Sequence, residues 1–509
     1  MNGPSFRTGS CRLLAPFLLL GFLLLAGCSG DTRSDGRPGI LTVMQSSVAI
    51  GDPHICSDSV NRLSLVFSIY DALITRDAAG NYVPALARSW SVAEDDLTWT
   101  FHLRPDVQFH NGEILTADDV VATLERVLDP AIGGAFGTQG VYLSYLGDAG
   151  ISAHDELTVR IVTPEPMADL LDLLVAMPIG PASELHRLPG EYIGSGPYRI
   201  GAIREGQAIL EAHSGYWGPE PEYREIHWLA EPDPEVRVEA LMNGRVDVIA
   251  GLRPADRERM EGEGSGLIHE LESGLCIIFM CNAFEGPCAD RRVRQALNYA
   301  LDVEAIIRDV KEGAATPLNG YLTPHHFGHN PQTPVYGYDP DRARTLLAEA
   351  GFAGGLELVL DIPAAMPDEA PALAQMMTEQ YREVGISVEV VVHEDRAAYS
   401  EMVREKRIND ACCFDSSPRS TWRVLREKLH STLQGPWWQG YDNPRVNSLI
   451  AEAEATFSDQ DRQAIYRRIY TLVRDDAPWI FLYRPTSIWA VSSMALPQWR
   501  PRADGLLLF

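Results

Sequence analysis

Positive charge is in short supply in this 509-residue chain: 43 Lys and Arg stand against 70 Asp and Glu, a formal net charge of −27. That shortage argues against a nucleic-acid binder, which must neutralise phosphates with clustered Lys and Arg. It also argues against a polyanion gathered by long-range attraction, although a local site can carry the opposite sign. Cysteine is scarce as well, eight in all and none at C-x-x-C spacing, so no zinc site is predicted. Neither G-x-S-x-G nor H-E-x-x-H occurs, which leaves an exported hydrolase without either local signature. The glycine-rich run Ile193–Tyr198 (IGSGPY) lacks the Lys-Ser/Thr of a phosphate loop and the G-x-G-x-x-G spacing, and Pro197 blocks continuation into a helix. No short-period repeat is present. Beyond residue 26 no run is long and apolar enough to span a membrane.

What is there begins with Arg7 and Arg12, followed by the nearly all-apolar run Leu13–Ala26. Such a run falls short of the roughly 20 residues of a spanning helix and suits a secretory signal. Leu25-Ala26-Gly27-Cys28 resembles a lipobox, in which Cys28 becomes the lipidated N-terminus; ordinary small-residue cleavage is the alternative. Residues 1–27 are therefore expected to be a signal peptide, and the polar, Gly-rich 28–39 a flexible tether. The remaining chain exceeds what one core serves, so at least two domains are expected.

The stretch Trp90–Leu128 organises the rest. Trp99, Phe101 and Leu103 alternate with Thr98, Thr100, His102 and Arg104, the period of a half-buried strand. Asn111-Gly112 is a hairpin signal. Thr116 is placed to cap a helix with Asp119 at the acidic third position and Val120, Val121, Leu124, Val127 and Leu128 as its stripe; Asp129-Pro130 stops it. Further on, Cys276–Cys281 reads as a strand buried on both faces, and Asp290 as the cap of the helix RRVRQALNYAL. Asp339, Pro340 and Gly351 occupy the N-cap, first-turn and stop positions of another helix. Leu356–Ile362, Ala370–Val384 and Ile386–Val392 form a strand–helix–strand rhythm that predicts a largely parallel sheet. Asn443-Pro444 and Ser458 open two late helices, and Trp479–Tyr483 is a final strand.

Several separated motifs, in order, resemble those of extracytoplasmic solute-binding proteins of the peptide/nickel class (family 5), which serve ABC importers. They are LTWTFHLRPDVQFHNGEILTADDV, the P-x-L-A-x-S-W run, Gly194-Ser195-Gly196-Pro197-Tyr198, Asp290–Leu297 and Tyr338–Gly351, and they span almost all of the chain after the tether. The resemblance implies an α/β fold, periplasmic-binding-protein-like type II (cluster C), with two lobes, an extra subdomain and a hinged ligand cleft. The implied boundaries are 40–55, 192–267 and 484–509 for the core of lobe I, 56–191 for its extra subdomain and 268–483 for lobe II. It implies a binding receptor rather than an enzyme, without cofactor or metal. Its partners would be a solute, most simply an oligopeptide or peptide-like compound, and importer permease subunits. The protein would be a periplasmic or extracytoplasmic monomer touching the membrane only through its N-terminal lipid. Chelated nickel, an opine and an oligosaccharide remain open as solutes, as does a sensor or chaperone role on the same fold.

The resemblance also places the site. Asp415 takes the position at which peptide-binding relatives pair an aspartate with the ligand's ammonium, chemistry strengthened by desolvation. The relatives' tryptophan is replaced here by Cys412 or Cys413, and the loop is about one residue shorter. Arg419 would meet a ligand carboxylate or pair with Asp415, and Trp422 follows in the same segment. One of Trp437 and Trp438, bounded by Gly and Pro with Tyr441 nearby, is expected at the cleft, with Tyr142 or Tyr145 at its edge. A disulfide between Cys276 and Cys413 is implied, with Cys412 as the runner-up partner, while Cys56, Cys281 and Cys288 read as buried small hydrophobes. Arg292 and Arg294 are expected to form structural ion pairs. His325, His326 and His329, flanked by prolines with no carboxylate or cysteine at ligand spacing, are expected in a surface loop rather than on a metal.

Overall fold

The computed structural model describes residues 39–509 apart from 56, 78–79, 133–140, 264–265, 494 and 497, and not the side chains of 258, 262 and 263. The signal peptide, Cys28, most of the tether and Cys56 lie outside the described residues.

The backbone is arranged around one strand, Trp479–Val491. Its first half pairs antiparallel with Cys276–Cys281, and Ala315–Pro317 joins it near the middle. Its second half pairs antiparallel with Leu267–Glu272 and with Val248–Ala250. Outward from the first half run Ala411–Ser416, Leu356–Pro363 and Ile386–His393; outward from the second run Ile40–Gln45, Glu225–Ala230, Gln207–Ala212 and Tyr198–Arg204. The expected parallel pairing holds for Leu356–Pro363 with Ile386–His393, where a helix makes the crossover. It fails at Cys276–Cys281, which is antiparallel to both neighbours. The rhythm was local to the outer strands, and the chain's late return supplies the central partner from the opposite direction.

Cys276–Cys281 is buried throughout. Ile277 and Phe279 join a core under the helices Arg291–Tyr299, Pro340–Glu349 and Ala370–Glu383, whereas Cys276, Ile278 and Met280 face Pro444–Glu454 and Asp459–Asp476. The capping residues behave as their chemistry requires. Asp290 accepts from the Arg292 N–H and Asp339 from the Arg342 N–H, each satisfying an orphan donor of the first turn. Arg292 pairs with Asp290 at 2.6 Å. Arg294 differs from expectation: it is buried and donates to the carbonyls of Cys288, Ala289, Asp476 and Ala477 rather than to a carboxylate.

A separate antiparallel sheet of Ala87–Val92, Thr98–Leu103, Thr158–Val162 and Gly150–Asp155 holds Trp99, Phe101 and Leu103 against the helix Ala117–Val127. The Asp119 carboxylate accepts from the Thr116 N–H at 2.8 Å, and Gly112 turns the hairpin at φ +90°. Truncating Phe101, wholly buried in this core, would cost about 3–5 kcal/mol. The core is closed from elsewhere in the chain: Trp422 is buried in it, and Phe457 packs on Trp99.

Two segments run side by side between the halves of the large sheet, Glu272–Leu275 and Arg484–Ser487. Glu272 accepts from Arg484 at 2.8 Å and from Thr316 at 2.7 Å at this crossing. Among the described residues no helix is long and apolar enough to cross a membrane.

Candidate functional site

The crossing segments form the back of a cavity of about 760 Å³, lined there by Ser273, Gly274, Pro485 and Thr486. A second cavity of about 580 Å³ adjoins it, and Ser57, Asp58, Arg419 and Arg423 line both. Each volume suits a small solute. The shared partition is an ionic one: Arg423 donates to Asp58 at 3.2 Å and to Glu427 at 3.0 Å, and Ser417 to Asp58 at 3.3 Å. Burial works to raise the Asp58 carboxyl, but the charge and hydrogen bond of Arg423, with Lys428 and Arg419 further off, hold it below its ordinary value.

Asp415 lies near the end of Ala411–Ser416, opposite Ile277, where the strand leaves the sheet and its side chain reaches the large cavity. With 32% of its side chain still accessible, Asp415 stands 3.9 Å from Arg396. Burial raises its pKa, while Lys428 and Arg396 act against that shift. The carboxylate is thus poorly solvated and open to a cation. Arg419 does not pair with it; it lines both cavities and donates to the Asp504 carbonyl.

The aromatic candidates divide. Trp437 lines the large cavity and packs on Phe414, with ring centroids 4.9 Å apart. Trp438 is buried against Phe284 and donates to the Tyr441 carbonyl at 2.6 Å, while the Tyr441 hydroxyl donates to Asp476 at 2.8 Å; neither lines a cavity described here. Trp422 is likewise structural, its indole N–H donating to Glu454 at 2.7 Å. Tyr142 lines the second cavity. Tyr145 packs on Trp422 with the rings tilted, centroids 4.8 Å apart, and donates to Glu427 at 2.7 Å, which ties it to the partition.

Two expectations need correction. Cys276 and Cys413 are free thiols. Cys413 sits opposite Phe279 and Cys276 opposite Ser416, and the two side chains enter cores on opposite faces of the sheet, a separation that disulfide geometry cannot span. Cys412 shares the face of Cys276 but pairs with Met280, four residues along. The histidine segment is no simple surface loop: His326 is buried and hydrogen-bonds the Pro418 carbonyl at 2.8 Å, and Thr421 donates to the Phe327 carbonyl. It supports the loop that carries Arg419. Among the described residues no group of three potential metal-ligating side chains occurs.

Sequence reasoning missed Asp58, Arg396, Arg423 and Lys428. The helix Thr421–Lys428 reads TWRVLREK, whose charges mimic a solvated face, yet Arg423, Glu427 and Lys428 are all buried. The signal available was Trp422 and Leu425 beside an Arg423–Glu427 pair one turn apart, which is equally the pattern of an ordinary surface helix.

Residues 81–444 match the family described as bacterial extracellular solute-binding proteins, family 5 Middle. The chain is 27% identical over 443 residues to Heme-binding protein A of Haemophilus influenzae, covering 81% of each chain. It is 27% identical over 445 residues to the Dipeptide-binding protein of Escherichia coli, covering 79% of this chain and 81% of that one. Among solved structures it is similar to the ABC transporter-associated periplasmic binding protein DppA from Helicobacter pylori in complex with the peptide STSA. That likeness has a TM-score of 0.76 at 23% identity and covers 90% of this chain and 94% of the other. The fold is accordingly the periplasmic-binding-protein-like type II fold, two lobes about a cleft.

Proposed function

The chain belongs to the bacterial extracellular solute-binding proteins of family 5, and from that premise we propose that it captures an oligopeptide or peptide-like solute and delivers it to an ABC importer. Members of this family are receptors, not enzymes, and the work here is binding followed by closure of two lobes. The observation that carries the peptide reading is Asp415: a partly desolvated carboxylate on the wall of the large cavity, where a solute's ammonium group would meet it. Arg419, Trp437 and Tyr142 line the same pair of cavities and complete the contact set in this proposal. Relatives named for dipeptide, heme and nickel share the family, so the solute must be read from the site.

The lipobox-like run ending at Cys28 supports an N-terminal lipid as the membrane attachment, with residues 28–39 as tether; the receptor beyond it is monomeric in this proposal. The proposed boundaries remain 40–55, 192–267 and 484–509 for the core of lobe I, 56–191 for the extra subdomain and 268–483 for lobe II. Native mass spectrometry of the purified full chain tests the function. A bound species with the mass of a short peptide or peptide conjugate is the expected result; a bound sugar or chelated metal would overturn the peptide reading. In cells, Cys28→Ser protein should lose processing and lipid labelling together. Unchanged cleavage with retained membrane attachment would refute the anchor.

A further inference from the structure

Cations outnumber carboxylates around the large cavity, although the whole chain is strongly acidic: Arg253, Lys311, Arg396, Arg419, Arg423 and Lys428 face Asp58, Glu312, Asp415 and Glu427. Five of these six cations are engaged by the protein. Arg253 pairs with Asp256 at 2.7 Å, Lys311 with Glu369 at 3.0 Å and Arg423 with Asp58 and Glu427. Arg419 donates to the Asp504 carbonyl, and Arg396 to the Met366 carbonyl at 3.1 Å.

Lys428 is the exception among the described residues. It is only 3% exposed, it lines the large cavity, and its ammonium has no hydrogen bond or ion pair there. It stands over the Phe414 ring, 5.8 Å from the centroid, with the charges of Glu427, Asp415 and Asp58 acting on it without a direct bond. It ends the helix Thr421–Lys428, where the unpaired carbonyls favour a cation. That position offsets only part of the penalty for burying an unpaired charge. Burial lowers the pKa of the ammonium, with Glu427 and Asp415 opposing.

Resting on the receptor reading above, we infer that Lys428 is the counter-charge for a carboxylate of the solute, bound in the same cavity as the cationic end held by Asp415. The solute is then zwitterionic, and the acid is part of what is recognised. Lys428 is a specificity-determining contact, distinct from the Asp415 anchor.

The test uses the full chain in mild detergent, as wild type, Lys428→Met and Lys428→Arg. Without ligand, Lys428→Met should melt at the wild-type temperature or a few degrees above it, because a buried unpaired charge has been removed. A drop of more than about 4 °C would mean that the lysine holds the fold, and would overturn the inference. Each protein is then titrated with a casein hydrolysate and with the same hydrolysate after methyl esterification of its carboxyl groups. Wild type and Lys428→Arg should bind the free-acid form at least about tenfold better than the ester, whereas Lys428→Met should bind both weakly and alike. Equal binding of the two forms by wild type, or a retained acid preference in Lys428→Met, would overturn it. Should neither hydrolysate bind wild type, the peptide reading falls by itself and the ligand-free comparison decides the role of Lys428.

Discussion

Asp415 lines the large cavity, and Lys428 and Arg396 are the cations that act on it. Arg396 lies 3.9 Å away, beyond hydrogen-bond reach, so the carboxylate is neither fully hydrated nor firmly paired. Asp415→Asn keeps the shape and removes the charge. With a solute that is cationic there, affinity should fall by a factor of about 30 to several thousand, the consequence of losing about 2–5 kcal/mol from a desolvated pair. Calorimetry with the co-purified solute measures this, and a loss below about threefold would leave the anchor role unsupported. Asp71 makes a second residue-level prediction. It accepts from Trp217 at 2.8 Å, Ser195 at 3.0 Å and the Tyr216 hydroxyl at 3.4 Å. Burial, outweighing those three donors, lifts its pKa to about 6. The folded state therefore holds this proton where the unfolded state, titrating near 3.8, has released it. Stability contributed by Asp71 rises as pH falls from about 6 towards 4 and is flat outside that window. Thermal melts of wild type minus Asp71→Asn, taken from pH 4 to 8, should show that slope; a flat difference would contradict it.

At the scale of elements, the capped helices and alternating strands were readable because their signals are local. Thr116 with Asp119, Asp290, Asp339 and the Trp99–Leu103 alternation each act within a turn or a strand. What escaped was partnership at long range. Nothing near Cys276 announces that its side chain enters a different core from that of Cys413. Nothing near Lys428 tells a cleft wall from a solvated face, since the same charged pattern serves both. His326 was misplaced for the same reason, its carbonyl partner lying at Pro418. The corrected thiol map makes its own prediction. Cys281 closes the strand Cys276–Cys281, Cys288 lies in the turn Pro287–Ala289, and their thiols are hydrogen-bonded, which together with burial raises the Cys288 thiol. If oxidising export closes any bridge between these, non-reducing peptide mapping should find Cys281–Cys288 and no Cys276–Cys413 link. Such a short loop would add about 2 kcal/mol. Recovery of the Cys276–Cys413 peptide pair would contradict the placement of those strands.

For the whole molecule, the Asp58–Arg423 partition draws together segments far apart in the chain, with Ser417 and Tyr145 adding hydrogen bonds at its edges. Asp58→Asn should loosen that clasp, giving a larger ligand-free radius of gyration by small-angle scattering and faster solute release. An unchanged radius and release rate would show that the partition does not hold the lobes together. The strand Trp479–Val491 has a different consequence, one of timing. It completes both halves of the large sheet, yet it is made only after the other strands have left the ribosome. Until then each half has an open seam where its central neighbour belongs, and neither can settle into a finished hydrophobic layer. A chain ended before Trp479 should accordingly remain protease-sensitive throughout rather than leave one lobe intact. Placing the shared strand last leaves both halves of the sheet unfinished until the chain has been made almost to its end, so that both lobes set together rather than one after the other.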